Sequence, residues 1–123
     1  MNDVRYARNS SNALQQAGNQ GDLVICDVAL AKLVPVLPKE ALGQFMVDWR
    51  IVFSPCSRDV AELAGEMFRL YLDRGGRRGR IVPDFMIAAH AQKIANRLLA
   101  WDRGYYRDYF LDLNIWDPSV NRK

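Results

Sequence analysis

The chain is 123 residues long, with 50% hydrophobic and 25% charged residues and a formal net charge of +3 at pH 7. This length and balance predict one globular domain with an apolar core. The apolar runs are too short for a transmembrane helix and we expect no secretory signal, which favours a cytoplasmic protein without a membrane partner. Cys26 and Cys56 lack metal-ligand spacing and each ends an apolar run, which predicts buried free thiols in a reducing compartment.

Apolar residues recur at helical spacing in six segments and form short continuous runs in four others. The predicted helices are 7–20, 28–34, 38–49, 58–74, 84–95 and 105–110. The predicted strands are 22–26, 51–53, 98–101 and 113–116. This order, α-β-α-α-β-α-α-β-α-β, predicts right-handed crossovers and a parallel sheet with helices on both faces.

Capping and helix-breaking residues indicate where three of these helices begin or end. Asp27 is placed to cap the helix at 28 through its carboxylate, and Ser57 to cap the helix that follows it. Pro38 suits a first helical turn, and Gly75 with Gly76 is expected to end the fourth helix.

The stretch from Pro83 to Phe110 contains two acids at the expected ends of secondary-structure elements. Asp84 opens a helix, and Asp102 follows the apolar run 98–101. Because the carboxyl ends of parallel strands and the N-termini of helices share one crevice, we expect the two carboxylates to lie side by side. Convergent carboxylates are the ligands that Mg²⁺ prefers in proteins.

The motifs PDFMIAAHA at 83–91 and LLAWDRGY at 98–105 resemble those of the PIN domain. The likeness is to the small VapC-like ribonuclease toxins of bacterial type II toxin–antitoxin systems. A weaker similarity lies in LVIC at 23–26 running into VALA at 28–31. The resemblance covers nearly the whole chain. It implies a three-layer α/β/α PIN-like domain over residues 1–118, with residues 119–123 as a disordered tail.

The resemblance also implies a chemistry and a set of partners. Members of the family are endoribonucleases, a class of hydrolase, in which about four acids hold Mg²⁺ or Mn²⁺. Asp84 matches the third of these acids and Asp102 the fourth, so both are expected to be catalytic residues and metal ligands. RNA is the implied substrate, a cognate antitoxin is the implied partner, and a homodimer is the implied assembly.

Two features depart from the family pattern. No apolar strand precedes Asp3, where the family has its first strand and first acid, so the sheet is expected to lack its central strand. Lys32 stands where the family has a glutamate facing the metal, and its ammonium is expected to pair with Asp84 or Asp102 in place of the ion. Asp3 and Asp27 are only distant replacements. Metal binding and RNA cleavage by this chain are therefore expected to be impaired.

An alternative function is a non-catalytic PIN-like domain that retains the antitoxin-binding and dimerisation surfaces. The region 30–49 is more apolar than a small domain needs, which fits either such a surface or a simple helical hairpin core. A phospho-acceptor receiver domain also places acids beside a lysine. It needs an acidic pair after a first strand, and this sequence lacks that strand.

Four arginines fall in the glycine-containing segment that follows the fourth helix: Arg74, Arg77, Arg78 and Arg80. Guanidinium groups on such a segment can contact a nucleic-acid backbone without reading its sequence. The expectation is contact with the RNA backbone, and the alternative is a solvated loop.

Two further features of the sequence are assigned mainly structural roles. His90 is the only histidine, and helical rotation turns it away from Asp84, so a surface or partly buried polar role is expected. The helix predicted at 105–110 has an aromatic face. Core packing is the expected use of that face, and base stacking with RNA is the alternative.

Overall fold

In the residues that the structure describes, six helices and four short strands follow one another in the predicted order. The computed structural model describes residues 3–77, 79, 81–95, 97–99 and 105–116. The helices are α1 (Asp3–Gln20), α2 (Asp27–Leu33), α3 (Lys39–Asp48), α4 (Arg58–Asp73), α5 (Val82–Ile94) and α6 (Tyr105–Tyr109). The strands are β1 (Val24–Ile25), β2 (Val52–Phe53), β3 (Leu98–Leu99) and β4 (Ile115–Trp116). Within the described residues, none of the helices combines the length and hydropathy that a membrane span requires.

The element boundaries differ from the predicted ones at both helices and strands. Helix α1 begins at Asp3, earlier than expected, and α5 begins two residues before Asp84. Each strand contains two residues, fewer than the apolar run that predicted it, because the ladder pairs only part of each run. The predicted end of the third strand, at 100–101, and the predicted tail at 119–123 lie outside the described residues.

The N-caps confirm one prediction and correct two others. The Ser57 hydroxyl accepts a hydrogen bond from the Val60 amide at 3.3 Å, as an N-cap does. The predicted Asp27 cap is wrong: Cys26 is the N-cap of α2, with its sulfur 3.5 Å from the Ala29 amide nitrogen. Pro38 is likewise the N-cap of α3 and does not lie in the first turn.

Glycines end α4 as predicted, and the structure gives the reason. Gly75 has φ of 91°, the left-handed conformation that glycine adopts without steric cost. A Cβ atom at Gly76 would collide with the ring of Tyr71. Both positions therefore require glycine, and the chain can turn directly after α4.

The strands form two separate parallel sheets. Val24 pairs with Val52 and Ile25 with Phe53, whereas Leu98 pairs with Ile115 and Leu99 with Trp116. No hydrogen bonds join the two sheets in the described residues. The mixed α/β fold with short parallel strands is thus the fold class that the sequence predicted, although the described strands form two sheets and not one.

The apolar core lies where α4, α5 and α6 meet. Its largest fully buried side chains are Phe85, Phe110 and Val60. The Phe85 ring contacts the rings of four aromatic neighbours at centroid distances of 5.6 to 6.3 Å: Phe68, Tyr71, Tyr109 and Phe110. Such contacts add to the free energy of area burial. This core holds α5 in place and so positions Asp84 at the start of that helix.

Candidate functional site

Asp84 lies in the first turn of α5, and its carboxylate is bound by a lysine from α2. The Lys32 ammonium donates a hydrogen bond to Asp84 Oδ1 at 2.7 Å. The Asp84 side chain is 14% exposed and the Lys32 side chain is 53% exposed. Lys32 occupies the last turn of α2 and Asp84 the first turn of α5, so each charge also favours the dipole of its own helix. The pairing predicted between Lys32 and Asp84 is present.

This geometry does not fit a Mg²⁺ site formed by the described residues. Mg²⁺ gives up its water shell reluctantly and is held by concentrated negative charge. The ammonium of Lys32 instead neutralises the carboxylate of Asp84 at hydrogen-bonding distance. In the part of the chain that the structure describes, Asp84 belongs to no group of three potential metal ligands. Asp102 and the side chain of Asp3 lie outside the described residues.

The predicted arginine segment is described only in part. Arg78 and Arg80 lie outside the described residues. The Arg74 guanidinium lies 5.2 Å from the centroid of the Tyr109 ring, a cation–π contact that ties the end of α4 to α6. Arg77 is exposed. Contact of these arginines with an RNA backbone stays a prediction.

A cluster that the sequence did not predict joins Cys26, Asp27 and Cys56. One ligand atom from each residue lies within 4.8 Å of the other two. Asp27 Oδ1 accepts hydrogen bonds from the Cys56 amide at 3.0 Å and the Val28 amide at 3.1 Å. The cysteines are 30 residues apart in sequence, and the parallel pairing of β1 with β2 brings them together. We call this group the thiol–carboxylate cluster.

Hydrogen bonding and burial set the protonation of this cluster. The backbone amide of Cys56 lowers the pKa of Asp27, because it donates to the charged carboxylate. Burial raises the pKa of the Cys56 thiol to about 12, and the neighbouring Asp27 carboxylate adds to that effect. Both cysteines are free, as predicted, but only Cys26 is buried, whereas Cys56 is partly exposed. Two sulfurs and a carboxylate are ligands of a kind that Zn²⁺ binds. At neutral pH, however, Cys56 keeps its proton. The cluster therefore serves to link α2 to the segment after β2.

His90 is more deeply buried than the sequence predicted. Its side chain lies in the middle of α5, and the residue is 5% exposed. His90 Nε2 is 3.1 Å from the hydroxyl oxygen of Ser54, so the ring has a polar partner beyond the end of β2.

A cavity of about 430 Å³ lies between the two sheets. Strand β1 lines it through Val24 and Ile25, and strand β3 lines it through Leu98 and Leu99. Helices α1, α2 and α5 contribute further apolar side chains to the lining. We call this cavity the intersheet slot.

Helices α2 and α3 present an apolar surface to solvent. Neither helix contains a buried residue. Three valines in or beside these helices are more than half exposed: Val34 at 56%, Val36 at 72% and Val47 at 70%. A simple helical hairpin core would bury such side chains. The structure therefore favours an interaction surface over a helical hairpin core as the interpretation of region 30–49.

Aromatic side chains of α6 pack in the core, as expected. Tyr106 and Phe110 are 4% and 1% exposed, and Tyr109 contacts the rings of Tyr71 and Phe85. The side chain of Tyr105 lies outside the described part of the structure. For the described aromatic residues, packing accounts for the pattern without base stacking.

Comparison with known proteins identifies a neighbour in fold. No protein-family model matches the chain, and no curated protein matches it in sequence. A chain in the crystal structure of VapBC2 from Rickettsia felis, bound to a DNA fragment from their promoter, superposes with a TM-score of 0.62. The two chains are 21% identical, and the match covers 87% of this chain and 83% of the other. The chain therefore shares its α/β fold, the PIN-like fold that its motifs predicted, with a chain of a VapBC complex.

Proposed function

We propose that the chain is a VapC-like member of a toxin–antitoxin pair, in which Mg²⁺-dependent endoribonuclease activity is impaired. The fold likeness to a VapBC complex supports the VapC-like role and a cognate antitoxin as partner. The ion pair between Lys32 and Asp84 is the observation that carries the impairment. In this proposal Asp84 and Asp102 are the remnants of the metal site. The arginines of 74–80 contact the backbone of the RNA substrate.

The physical basis is competition between an ammonium group and a metal ion for one carboxylate. A protonated lysine cannot donate an electron pair to Mg²⁺, and its charge repels the ion. Asp84 is mostly buried, so its charge is less screened by water than that of a surface acid. Asp27 is held away from this pair, because its Oδ1 accepts hydrogen bonds from the amides of Val28 and Cys56. The chain is therefore expected to bind Mg²⁺ weakly.

Replacing the lysine tests the proposal directly. Lys32→Glu removes the ammonium and adds a carboxylate opposite Asp84, so Mn²⁺ affinity, measured by electron paramagnetic resonance of the free ion, is expected to rise by about tenfold or more. Lys93→Glu, at an exposed position in the last turn of α5, makes the same charge change away from Asp84 and is the matched control. Adding Asp84→Asn to Lys32→Glu is expected to remove the gain.

RNA cleavage provides the second measurement of this test. The unmodified chain is expected to cleave RNA with Mg²⁺ no faster than with the metal chelated. Full Mg²⁺-dependent cleavage by the unmodified chain, abolished by Asp84→Asn, would show that Lys32 does not block the site.

The second candidate is a non-catalytic domain that acts through antitoxin binding and dimerisation. The exposed valines of α2 and α3 favour it, because an apolar surface of this kind is typical of a protein interface. The two candidates differ in the Lys32→Glu variant. A variant that binds Mn²⁺ and gains cleavage supports the impaired enzyme, whereas one that binds Mn²⁺ without cleavage supports the non-catalytic domain.

A further inference from the structure

The thiol–carboxylate cluster brings three potential ligand atoms together from two segments of the chain. One ligand atom from each of Cys26, Asp27 and Cys56 lies within 4.8 Å of the other two. In a tetrahedral zinc site the metal–ligand distances are about 2.0–2.3 Å, so neighbouring sulfur and oxygen atoms lie about 3.6–3.8 Å apart. Side-chain movements of about 1 Å are therefore enough for the cluster to close around one ion.

The types of donor atom determine which ion the cluster suits. Two sulfurs and one carboxylate oxygen match Zn²⁺, a borderline-soft cation that binds both kinds of ligand. Mg²⁺ and Mn²⁺ prefer oxygen ligands, so the sulfurs of Cys26 and Cys56 select against them. Because Zn²⁺ takes four ligands and the cluster offers three, one position is left for a water molecule.

The cluster is accessible to an ion from one side. Cys26 is 2% exposed, whereas Asp27 is exposed and Cys56 is partly exposed. An ion can therefore enter past the carboxylate and reach the buried sulfur without opening the apolar core. The same exposure allows water to supply the fourth ligand.

Backbone amides already orient two of the three ligands. Asp27 Oδ1 accepts hydrogen bonds from the amides of Val28 at 3.1 Å and Cys56 at 3.0 Å. A carboxylate has two oxygens with about four acceptor positions, so Asp27 can bind an ion and keep both amides. The sulfur of Cys26 lies 3.5 Å from the Ala29 amide nitrogen. Hydrogen bonds to metal ligands fix their orientation, and their presence before binding lowers the entropic cost of forming the site.

In the metal-free cluster, a proton occupies the place that an ion would take. The Cys56 thiol donates a hydrogen bond to the Asp27 carboxylate, and the Cys26 side chain is within hydrogen-bonding reach of the same thiol. Binding of Zn²⁺ forms two metal–sulfur bonds and one metal–oxygen bond and releases both thiol protons to water, with no change of oxidation state. The net charge of the cluster is therefore unchanged, which keeps the cost of burying the ion low.

We propose that Cys26, Asp27 and Cys56 form a Zn²⁺ site with a water molecule as the fourth ligand. The ion ties the start of α2 to the segment after β2 and so reinforces the parallel pairing of β1 with β2. This part of the chain gains most from such a tie, because Ala13 and Cys26 are the buried apolar residues that the structure describes before Cys56. Zinc binding is independent of the proposed ribonuclease site, so either proposal can fail without the other.

Titration with Co²⁺ tests the proposal, because Co²⁺ occupies tetrahedral zinc sites and absorbs light when sulfur is bound to it. The full chain is reduced with a phosphine, freed of metal and titrated without oxygen. The expected result is a sulfur-to-cobalt charge-transfer band that saturates at one ion per chain. One equivalent of Zn²⁺ is expected to remove the band, whereas a large excess of Mg²⁺ is expected to leave it unchanged.

Substitutions distinguish the cluster from a pair of thiols that binds metal without the carboxylate. Asp27→Asn keeps both sulfurs and an oxygen that accepts from the two amides, and it is expected to weaken Co²⁺ binding by about tenfold or more. Asp22→Asn, at an exposed acid outside the cluster, makes the same charge change and is the matched control. Cys56→Ser removes one sulfur and is expected to lower both the affinity and the intensity of the band.

Amide hydrogen exchange measures the predicted reinforcement of the strands. The amides of Val52 and Ser54 donate to the carbonyls of Leu23 and Ile25 at 2.9 Å. One equivalent of Zn²⁺ is expected to slow exchange of these two amides by about tenfold or more, because the tie opposes local opening of the ladder. The Asp27→Asn variant at the same Zn²⁺ concentration is expected to show no slowing. This variant keeps the test decisive if Cys56→Ser fails to fold.

Four results would overturn the proposal. The first is the absence of a charge-transfer band, or a band that needs more than one ion per chain. The second is equal Co²⁺ affinity in Asp27→Asn and the unmodified chain, which would exclude the carboxylate as a ligand. The third is an equal loss of affinity in Asp22→Asn, which would indicate a general effect of charge. The fourth is unchanged exchange of the Val52 and Ser54 amides in the zinc-bound chain.

Discussion

The Cys56 thiol is a weaker acid than an ordinary cysteine, because burial and the Asp27 carboxylate both raise its pKa. Burial disfavours its thiolate, and the Asp27 carboxylate accepts a hydrogen bond and repels a second negative charge. The Cys56 amide, in turn, donates to Asp27 and stabilises that carboxylate. Cys56 thus lowers the pKa of Asp27 through its backbone amide, while Asp27 keeps the Cys56 side chain protonated.

This arrangement predicts how stability depends on pH. The folded-state pKa of Cys56, about 12, lies above its ordinary value of 9.0, so the folded state binds the proton more tightly. Its contribution to stability is therefore complete below pH 9 and is lost as pH rises from 9 towards 12. The pKa of Asp27 is lowered from 3.8, so its contribution is present above pH 3.8 and is lost as pH falls through the folded value.

Urea unfolding between pH 7 and 11 provides the measurement. The free energy of unfolding of the unmodified chain is expected to fall more steeply above pH 9 than that of Cys56→Ala, which lacks the titrating group. Equal pH profiles for the two proteins would show that Cys56 ionises at an ordinary pKa. The comparison cancels the titration of lysines and tyrosines elsewhere, which both proteins share.

The position of a single residue was predicted correctly where one contact determines it. The resemblance placed Lys32 beside the family's acids, and a lysine near a partly buried aspartate forms an ion pair. The Asp27 cap failed because a distant residue competes for its carboxylate. The Cys56 amide, contributed by the segment after β2, bonds to Asp27, and the Cys26 sulfur caps α2. No local sequence pattern indicates that the Cys56 amide will bind Asp27, because the two residues are distant in sequence.

At the scale of elements, α5 organises the packing of the C-terminal half. It contributes Phe85, Ala88, Ala89 and Ala91 to the core, with the alanines allowing close approach of neighbouring helices. The Phe85 ring fills the space between α4 and α6 and is fully buried. The position of Asp84, one residue earlier, therefore depends on this aromatic packing.

Removing the Phe85 ring is expected to be among the most destabilising single changes in the described residues. Phe85→Ala deletes a fully buried ring and leaves a cavity, which typically costs about 3–5 kcal/mol of unfolding free energy. Leu111→Ala, at a residue that is 82% exposed, is the control and is expected to change stability by less than about 0.5 kcal/mol. Urea denaturation measures both. Similar losses for the two variants would contradict the assigned core.

The order of elements was predictable because each helix carries its own apolar periodicity, whereas strand length was not. Leu23 and Cys26 are as apolar as their neighbours, yet the paired residues of β1 are Val24 and Ile25, and Leu23 contributes only its carbonyl to the ladder. Pairing depends on the position of the partner strand, which local sequence does not encode. The thiol–carboxylate cluster was missed for the same reason, since the pairing of β1 with β2 brings its cysteines together.

At the scale of the molecule, the surface of α2 and α3 is expected to mediate self-association. Changing Val36 and Val47 together to aspartate places charge in the apolar surface, so the fraction of dimer measured by sedimentation equilibrium is expected to fall. Leu111→Asp changes an exposed residue elsewhere and is expected to leave the dimer intact. A dimer that persists in the double variant, with folding confirmed by circular dichroism, would place the interface on another surface.

The separation of the strands into two sheets also affects how the molecule unfolds. The described apolar core cluster is drawn from residues between Val60 and Phe110, while Ala13 and Cys26 are the buried apolar residues described before Cys56. The half of the chain that contains α1 to β2 therefore rests on fewer buried contacts, and its opening should need less free energy than global unfolding. Unfolding would then proceed in two stages.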